Sequence, residues 1–157
     1  MKISFDLDDT LILSGDEGEC EPPLKLAYSL FCKEKLRKGT TALCKELHRL
    51  GLEICVYTTS ERSVSYIRRL FEAYGIDLCH VVNQVIHQKL VQGNKKEIQP
   101  SKYPPKFGFQ LHVDDDESVR QNGRQYGFRV LIIDRNDAEW EQKVLDEAIR
   151  VKRLLEP

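Results

Sequence analysis

No stretch of this chain approaches the roughly 18 consecutive apolar residues of a membrane-spanning helix. The start runs from Met1 straight into acidic residues and holds no apolar core of a secretory signal. Its five cysteines, Cys20, Cys32, Cys44, Cys55 and Cys79, are an odd set without a CxxC pair. That excludes a disulfide framework and a zinc ribbon, and suits a reducing compartment. Cys55 and Cys79 lie in apolar runs and read as small hydrophobes. A surplus of one charge is lacking too: 24 Lys and Arg stand against 25 Asp and Glu, net -1. That balance argues against a nucleic-acid partner, since phosphate-backbone binding usually shows as a basic stripe. The most basic short runs, KEKLRK (33–38) and GNKK (93–96), read as solvated faces. The expectation is a soluble, cytoplasmic protein without a nucleic-acid or membrane partner; nothing in the sequence speaks to its oligomeric state.

What the chain does have is an alternation. Short apolar runs that read as buried strands lie near 2–7, 52–58, 79–84, 109–114 and 128–134. Between them lie helical patterns. GTTALCKELHRLG spaces Leu43, Leu47 and Leu50 along one face. SERSVSYIRRLFEAYG reads as capped by Ser60, with Val64, Ile67, Phe71 and Tyr74 on one face and a stop at Gly75. DESVRQNGRQYG is a weaker helix that ends at Gly127. The last helix has Asn136 and Glu139 at capping-box spacing, then Trp140, Val144, Leu145 and Ile149 facing inward. Such a chain predicts an α/β fold: a doubly wound, mostly parallel five-stranded sheet with helices on both faces. The 157 residues suit a single domain, 1–157. A short flap is expected at about 12–30, with 85–108 mostly an extended connection. Neither leaves room for a large cap domain.

In an open parallel sheet, ligands bind beyond the carboxyl ends of the strands. The polar residues at those ends are Asp6, Asp8 and Thr10 after the first strand, and Thr58, Thr59 and Ser60 after the second. Asp114, Asp115 and Asp116 follow the fourth, and Lys102 or Lys106 comes just before it. Acids so crowded need a cation, and Mg²⁺, with its preference for carboxylate and phosphate oxygens, is the simplest choice. Hydroxyls and a lysine beside it suit a phosphorylated ligand. A carboxylate not consumed by metal is free to attack phosphorus or to move a proton. Each group also has a plainer reading: the acids after the fourth strand can cap the next helix, and Lys102 and Lys106 can be solvated. His112, just before those acids, reads as packed or solvated, and Trp140 as core.

FDLDDTL resembles the DxDxT motif of the haloacid dehalogenase (HAD) superfamily, and the other motifs follow in order. CVYTTS is similar to the second, a lysine of SKYPPK to the third, and LHVDDDE to the fourth; together they span residues 3–117. The resemblance implies a capless or minimal-cap, HAD-like hydrolase: a Mg²⁺-dependent phosphatase working through an aspartyl-phosphate. It implies Asp6 as nucleophile and Asp8 as general acid and then base. Thr58 would hold the phosphoryl group, with Thr10 and Thr59 beside it, and Lys102 or Lys106 would steady the charge. Mg²⁺ would be bound by Asp6, the main-chain carbonyl of Asp8, Asp114 and Asp115. The substrate would be a phosphorylated small molecule or macromolecule. Asp9 reads as the neighbour without a role, because adjacent strand positions face opposite ways.

Two alternatives stay beside this: a phosphotransferase using the same chemistry, and a non-catalytic, HAD-like binding or regulatory protein. A receiver-type signalling domain does not fit the order of the motifs, since the third strand ends in Asn83 and Gln84 with no acceptor aspartate.

Overall fold

The strand pattern places five short parallel strands at the centre of the molecule. In the computed structural model, residues 1–15 and 19–156 are described, so the part of the expected flap at 16–18 lies outside them. The strands are β1 (Lys2–Phe5), β2 (Glu53–Tyr57), β3 (His80–Val82), β4 (Leu111–Asp114) and β5 (Val130–Ile132). They pair in the order β3-β2-β1-β4-β5, all parallel. The order runs outward from β1 in one direction and then the other, so the carboxyl ends of β1 and β4 lie side by side at the switch point.

Strand β2 shows why both faces are covered. Ile54 and Val56 belong to the main core with Ile67 and Phe71 of α3 (Val64–Ala73). Leu43 and Leu47 of α2 (Thr40–Arg49) and Trp140 and Val144 of α6 (Trp140–Leu155) complete that layer. Cys55 and Tyr57 point the other way, against Phe109, Phe107 and Ile86. A one-turn α1 (Leu26–Ser29) lies in the flap, and α5 (Glu117–Tyr126) joins β4 to β5. Gly75 and Gly127 take left-handed φ values of 73° and 75° and end α3 and α5, as their positions predict.

Several local expectations are corrected. The 85–108 connection is not mostly extended: α4 (Gln84–His87) runs on through a π-helical turn at Gln88–Gln92, and a 3-10 turn occupies Pro104–Phe107. Helix α3 is capped by Ser63, which accepts from the Tyr66 N–H at 3.1 Å, and not by Ser60. Asn136 caps nothing, because α6 starts only at Trp140, after turns in which Asp134 and Asp137 accept from the N–H groups of Asn136 and Glu139. Its inward stripe runs through Trp140, Val144, Ala148 and Val151, with Leu145 packed at its edge and Ile149 only partly covered. KEKLRK is a solvated face only in part: Lys33 and Lys38 are exposed, but Leu36 and Arg37 are buried, Arg37 lying 4.7 Å over the Trp140 ring and donating to the carbonyls of Asp134, Arg135 and Asp137. Cys55 is buried as expected, but Cys79 is exposed. Among the described residues neither connection holds a cap domain, and no helix is long and apolar enough to cross a membrane.

Candidate active site

Strand β1 stops at Phe5, and the Asp6 N–H donates to the Val113 carbonyl at 2.9 Å, which ties Asp6 to the end of β4. The chain then folds back in a tight turn: the N–H groups of Leu11 and Ile12 both donate to the Leu7 carbonyl, at 2.9 and 2.7 Å. Asp9 takes φ 56°, the one non-glycine residue with positive φ among those described. Asp tolerates that conformation better than most side chains. Its carboxylate accepts from Arg135 Nη1 at 3.0 Å, on the outside of the turn. Asp9 is thus turned away from the acids by the turn, not by the strand alternation first invoked for it.

Asp6, Asp114 and Asp115 meet at the switch point, with one ligand oxygen from each within 4.8 Å of the others. Lys102 enters from the segment before the 3-10 turn, its Nζ 2.5 Å from Asp114 Oδ2 and 2.9 Å from Asp6 Oδ1. Lys102 and Asp114 are fully enclosed and Asp6 nearly so. Of the two candidate lysines, Lys102 is therefore the one among the acids, and Lys106 is exposed on the 3-10 turn.

Burial works to raise the Asp114 carboxyl, but the hydrogen bond from His112 and the charge of Lys102 outweigh it and hold the group well below the usual carboxylate range. Asp6 goes the other way: burial, reinforced by the Asp114 charge and only partly opposed by Lys102, pushes it up. Two carboxylates share one ammonium, and the nearer takes most of it. Asp115 is also pushed up by burial, against a hydrogen bond from Thr10 Oγ1 at 3.0 Å.

This donor set fits a hard divalent cation. Lys102 Nζ is close to Asp6 Oδ1 but off the line a hydrogen bond needs, so that fully buried oxygen has no hydrogen-bond partner. Three carboxylates against one lysine leave two negative charges uncompensated, and hard oxygen donors of this kind suit Mg²⁺. A buried anionic excess of that size is costly without a cation.

The remaining expected residues take distinct places. Thr58 is buried where β2 ends, its N–H donating to the Val82 carbonyl and its Oγ1 accepting from the Ser60 N–H at 3.1 Å. Thr59 is exposed beside it, and Thr10 is wholly buried on Asp115. Asp116 caps α5, accepting from the Ser118 N–H at 2.7 Å, so one of the three clustered acids does serve the helix. The Asp8 carboxylate lies outside the acidic triad and is gripped by Arg62, at 2.7 and 2.9 Å to its two oxygens.

Three groups at the site were not anticipated. His112 is packed, one of its two expected states, but it also joins the site: Nε2 lies 2.9 Å from Asp114 Oδ2, and Nδ1 lies 2.9 Å from Ser4 Oγ. Burial lowers its pKa, so the neutral ring donates to Asp114 and accepts from Ser4. The signal was there, since residues 112 and 114 share one face of a strand. Tyr57 is the second: its Oη accepts from the Tyr103 N–H at 2.9 Å and lies 2.6 Å from His87 Nδ1, which fixes the backbone next to Lys102. Arg62 is the third; its position just after β2 marks it as near the crevice, but not what it binds.

No family model matches the chain, and no curated protein matches it. Solved structures do. The HAD domain of the effector protein Lem4 from Legionella pneumophila aligns with a TM-score of 0.52 at 16% identity, over 92% of this chain and 92% of that one. A HAD-superfamily hydrolase, subfamily IA, variant 1, from Geobacter sulfurreducens gives 0.50 at 15% identity, over 83% and 88%. A chain of the Pnkp1/Rnl/Hen1 complex gives 0.52 at 18% identity over 84% of this chain, which spans only 45% of that partner's length. At such identities the likeness is one of fold. The chain has a HAD-like Rossmannoid α/β fold, with a buried acidic cluster at its switch point.

Proposed function

We propose that this chain is a Mg²⁺-dependent phosphohydrolase that works through an aspartyl-phosphate on Asp6. The observation that carries the reading is the Asp6 oxygen, buried without a hydrogen bond, 2.9 Å from Lys102 and within the acidic triad. Asp6, Asp114 and Asp115 would hold the metal, which when bound supplies charge neutralisation for the acids and the phosphoryl oxygens. An Asp6 oxygen attacks phosphorus, and the bond from phosphorus to the leaving oxygen breaks as Asp8 gives that oxygen a proton. The Asp8 carboxylate then takes a proton from water, the water oxygen attacks phosphorus, and the Asp6–phosphorus bond breaks to release inorganic phosphate. Lys102 steadies the charge on Asp6 throughout, and Thr58 holds the transferring group.

The test is release of phosphate from an aryl phosphate by the purified chain. Turnover should require Mg²⁺, stop with EDTA, and vanish in Asp6→Asn. Wild-type turnover in Asp6→Asn would overturn the nucleophile assignment and, with it, this reading.

A further inference from the structure

Arg62 sits in the loop between β2 and α3, its carbonyl accepting from Asn83 Nδ2 at 3.0 Å. Two edges of its guanidinium are in use. Nε and Nη2 donate to Glu34, at 2.9 and 2.6 Å. Nη1 and Nη2 donate to the two oxygens of Asp8, at 2.9 and 2.7 Å. The Asp8 side chain is 51% exposed against 29% for Glu34. The Glu34 edge is therefore the sheltered anchor, and the Asp8 edge is the one open to exchange.

That edge borders an open groove of about 480 Å³, lined by Asp8 and Arg62 on one side and by flap residues such as Ile12, with Lys33 and Lys35, on the other. Among the described residues neither lysine makes an ion pair or hydrogen bond. Among the described lining residues they and Arg62 set three cations against Asp8 and Glu34, and a bound anion is what such a surplus favours.

We infer that this groove receives a leaving group bearing an anion of its own, a second phosphate or a carboxylate, which takes the place of Asp8 on Arg62. The inference rests on the reading above. There Asp8 protonates the leaving oxygen, so the leaving group lies on the Asp8 side, where the groove is. A carboxylate gripped by Arg62 through both oxygens is not free to swing to the leaving oxygen until the grip is released. An incoming phosphate or carboxylate offers Arg62 the same fork of acceptors, so the exchange keeps the guanidinium paired while it frees Asp8. A neutral leaving group leaves the grip in place, and Arg62 thereby selects for doubly anionic substrates.

The experiment is equilibrium binding to the full chain, with Mg²⁺, of alkyl bisphosphonates of graded length, each compared with its monophosphonate and its phosphonocarboxylate. At least one doubly charged probe should bind about 10-fold or more tighter than its singly charged match, the value of one strong charge-assisted contact. The phosphonocarboxylate arm tells which second anion is preferred. Arg62→Gln should erase that margin, Arg62→Lys should keep part of it, and Lys33→Ala with Lys35→Ala, both at partly or fully exposed positions, should reduce it in a chain that folds normally. Equal binding of all the probes, or equal weakening of single and double anions in Arg62→Gln, would overturn the inference. Aryl-phosphate turnover on the same preparations separates the two claims. Turnover without a margin sinks only the groove, whereas a margin without turnover keeps the anion site and removes the hydrolase reading.

Discussion

Lys102 Nζ and Asp114 Oδ2 meet at 2.5 Å with both side chains enclosed, 12 residues apart in sequence and supplied by the approach to β4 and by its end. The pair alone would be a modest asset, because desolvating both ions offsets most of their attraction. Its weight comes from what Lys102 also faces. Without it, Asp6 and Asp114 stand buried with no cation between them. Lys102→Met is expected to cost about 3–5 kcal/mol, the usual penalty for stranding a buried charge. Mg²⁺ bound by the native state alone then stabilises by mass action, and should raise the urea midpoint of the variant more than that of the wild type. Equal shifts would mean that the cation does not sit among these acids.

The grip on the Lys102 segment leads to a second expectation. Tyr57 Oη accepts from the Tyr103 N–H and is hydrogen-bonded to His87 Nδ1 at 2.6 Å. Tyr57→Phe leaves a backbone donor and a buried ring nitrogen unpaired while hardly changing the packing against Phe107 and Phe109. The stability loss should be about 1–3 kcal/mol. If the contact positions Lys102, kcat should fall more than KM rises. A kcat unchanged beside a measurable loss in urea stability would reduce Tyr57 to a packing role.

How far the sequence carried can be judged from these same residues. The strands and the long helices were legible because burial on both sheet faces leaves continuous apolar runs and because amphipathic faces repeat at helical spacing. The acids at the ends of β1 and β4 were legible because a parallel sheet brings its carboxyl ends together. Arg37 and Arg62 were not, since a lone arginine in a charged run carries no mark of its partner. Arg37 is buried only because Trp140 and three carbonyls, about a hundred residues away, converge on it. Ser60 lost the cap to Ser63 because the helix starts only at Val64, directly after Ser63. The 85–108 connection misled through its prolines, which bound the helical turns instead of preventing them.

Gly123 gives a prediction away from the site. A Cβ there would lie 2.7 Å from the Phe128 carbonyl oxygen and 3.0 Å from Val130 Cγ2, where the end of α5 folds back onto β5. Alanine gains about 1 kcal/mol of helix propensity over glycine, but forcing atoms into a closed contact costs about 1–3 kcal/mol. The neighbour is backbone and cannot swing away, so the clash should win. Gly123→Ala is expected to lower the urea midpoint, with aryl-phosphate turnover per folded molecule unchanged. A raised midpoint would show that the turn after α5 relaxes freely.

His87 links pH to the same network. It is almost fully buried, and burial, with the Lys102 charge adding to it, holds its pKa below the ordinary histidine value. Charging a ring so enclosed and so near Lys102 is costly, so the folded state keeps it neutral. The unfolded chain takes up that proton near pH 6.5, before the folded one does. Stability from this group is therefore complete above about pH 6.5 and falls with pH down to the lower folded value, by at most about 1.4 kcal/mol per pH unit. His87→Gln can still accept from Tyr57 and has nothing to titrate. Urea unfolding of both proteins between about pH 7.5 and about pH 5, a span around that value, should show the wild type losing stability faster as the pH drops. Parallel curves would mean that His87 takes up its proton in the folded chain without cost.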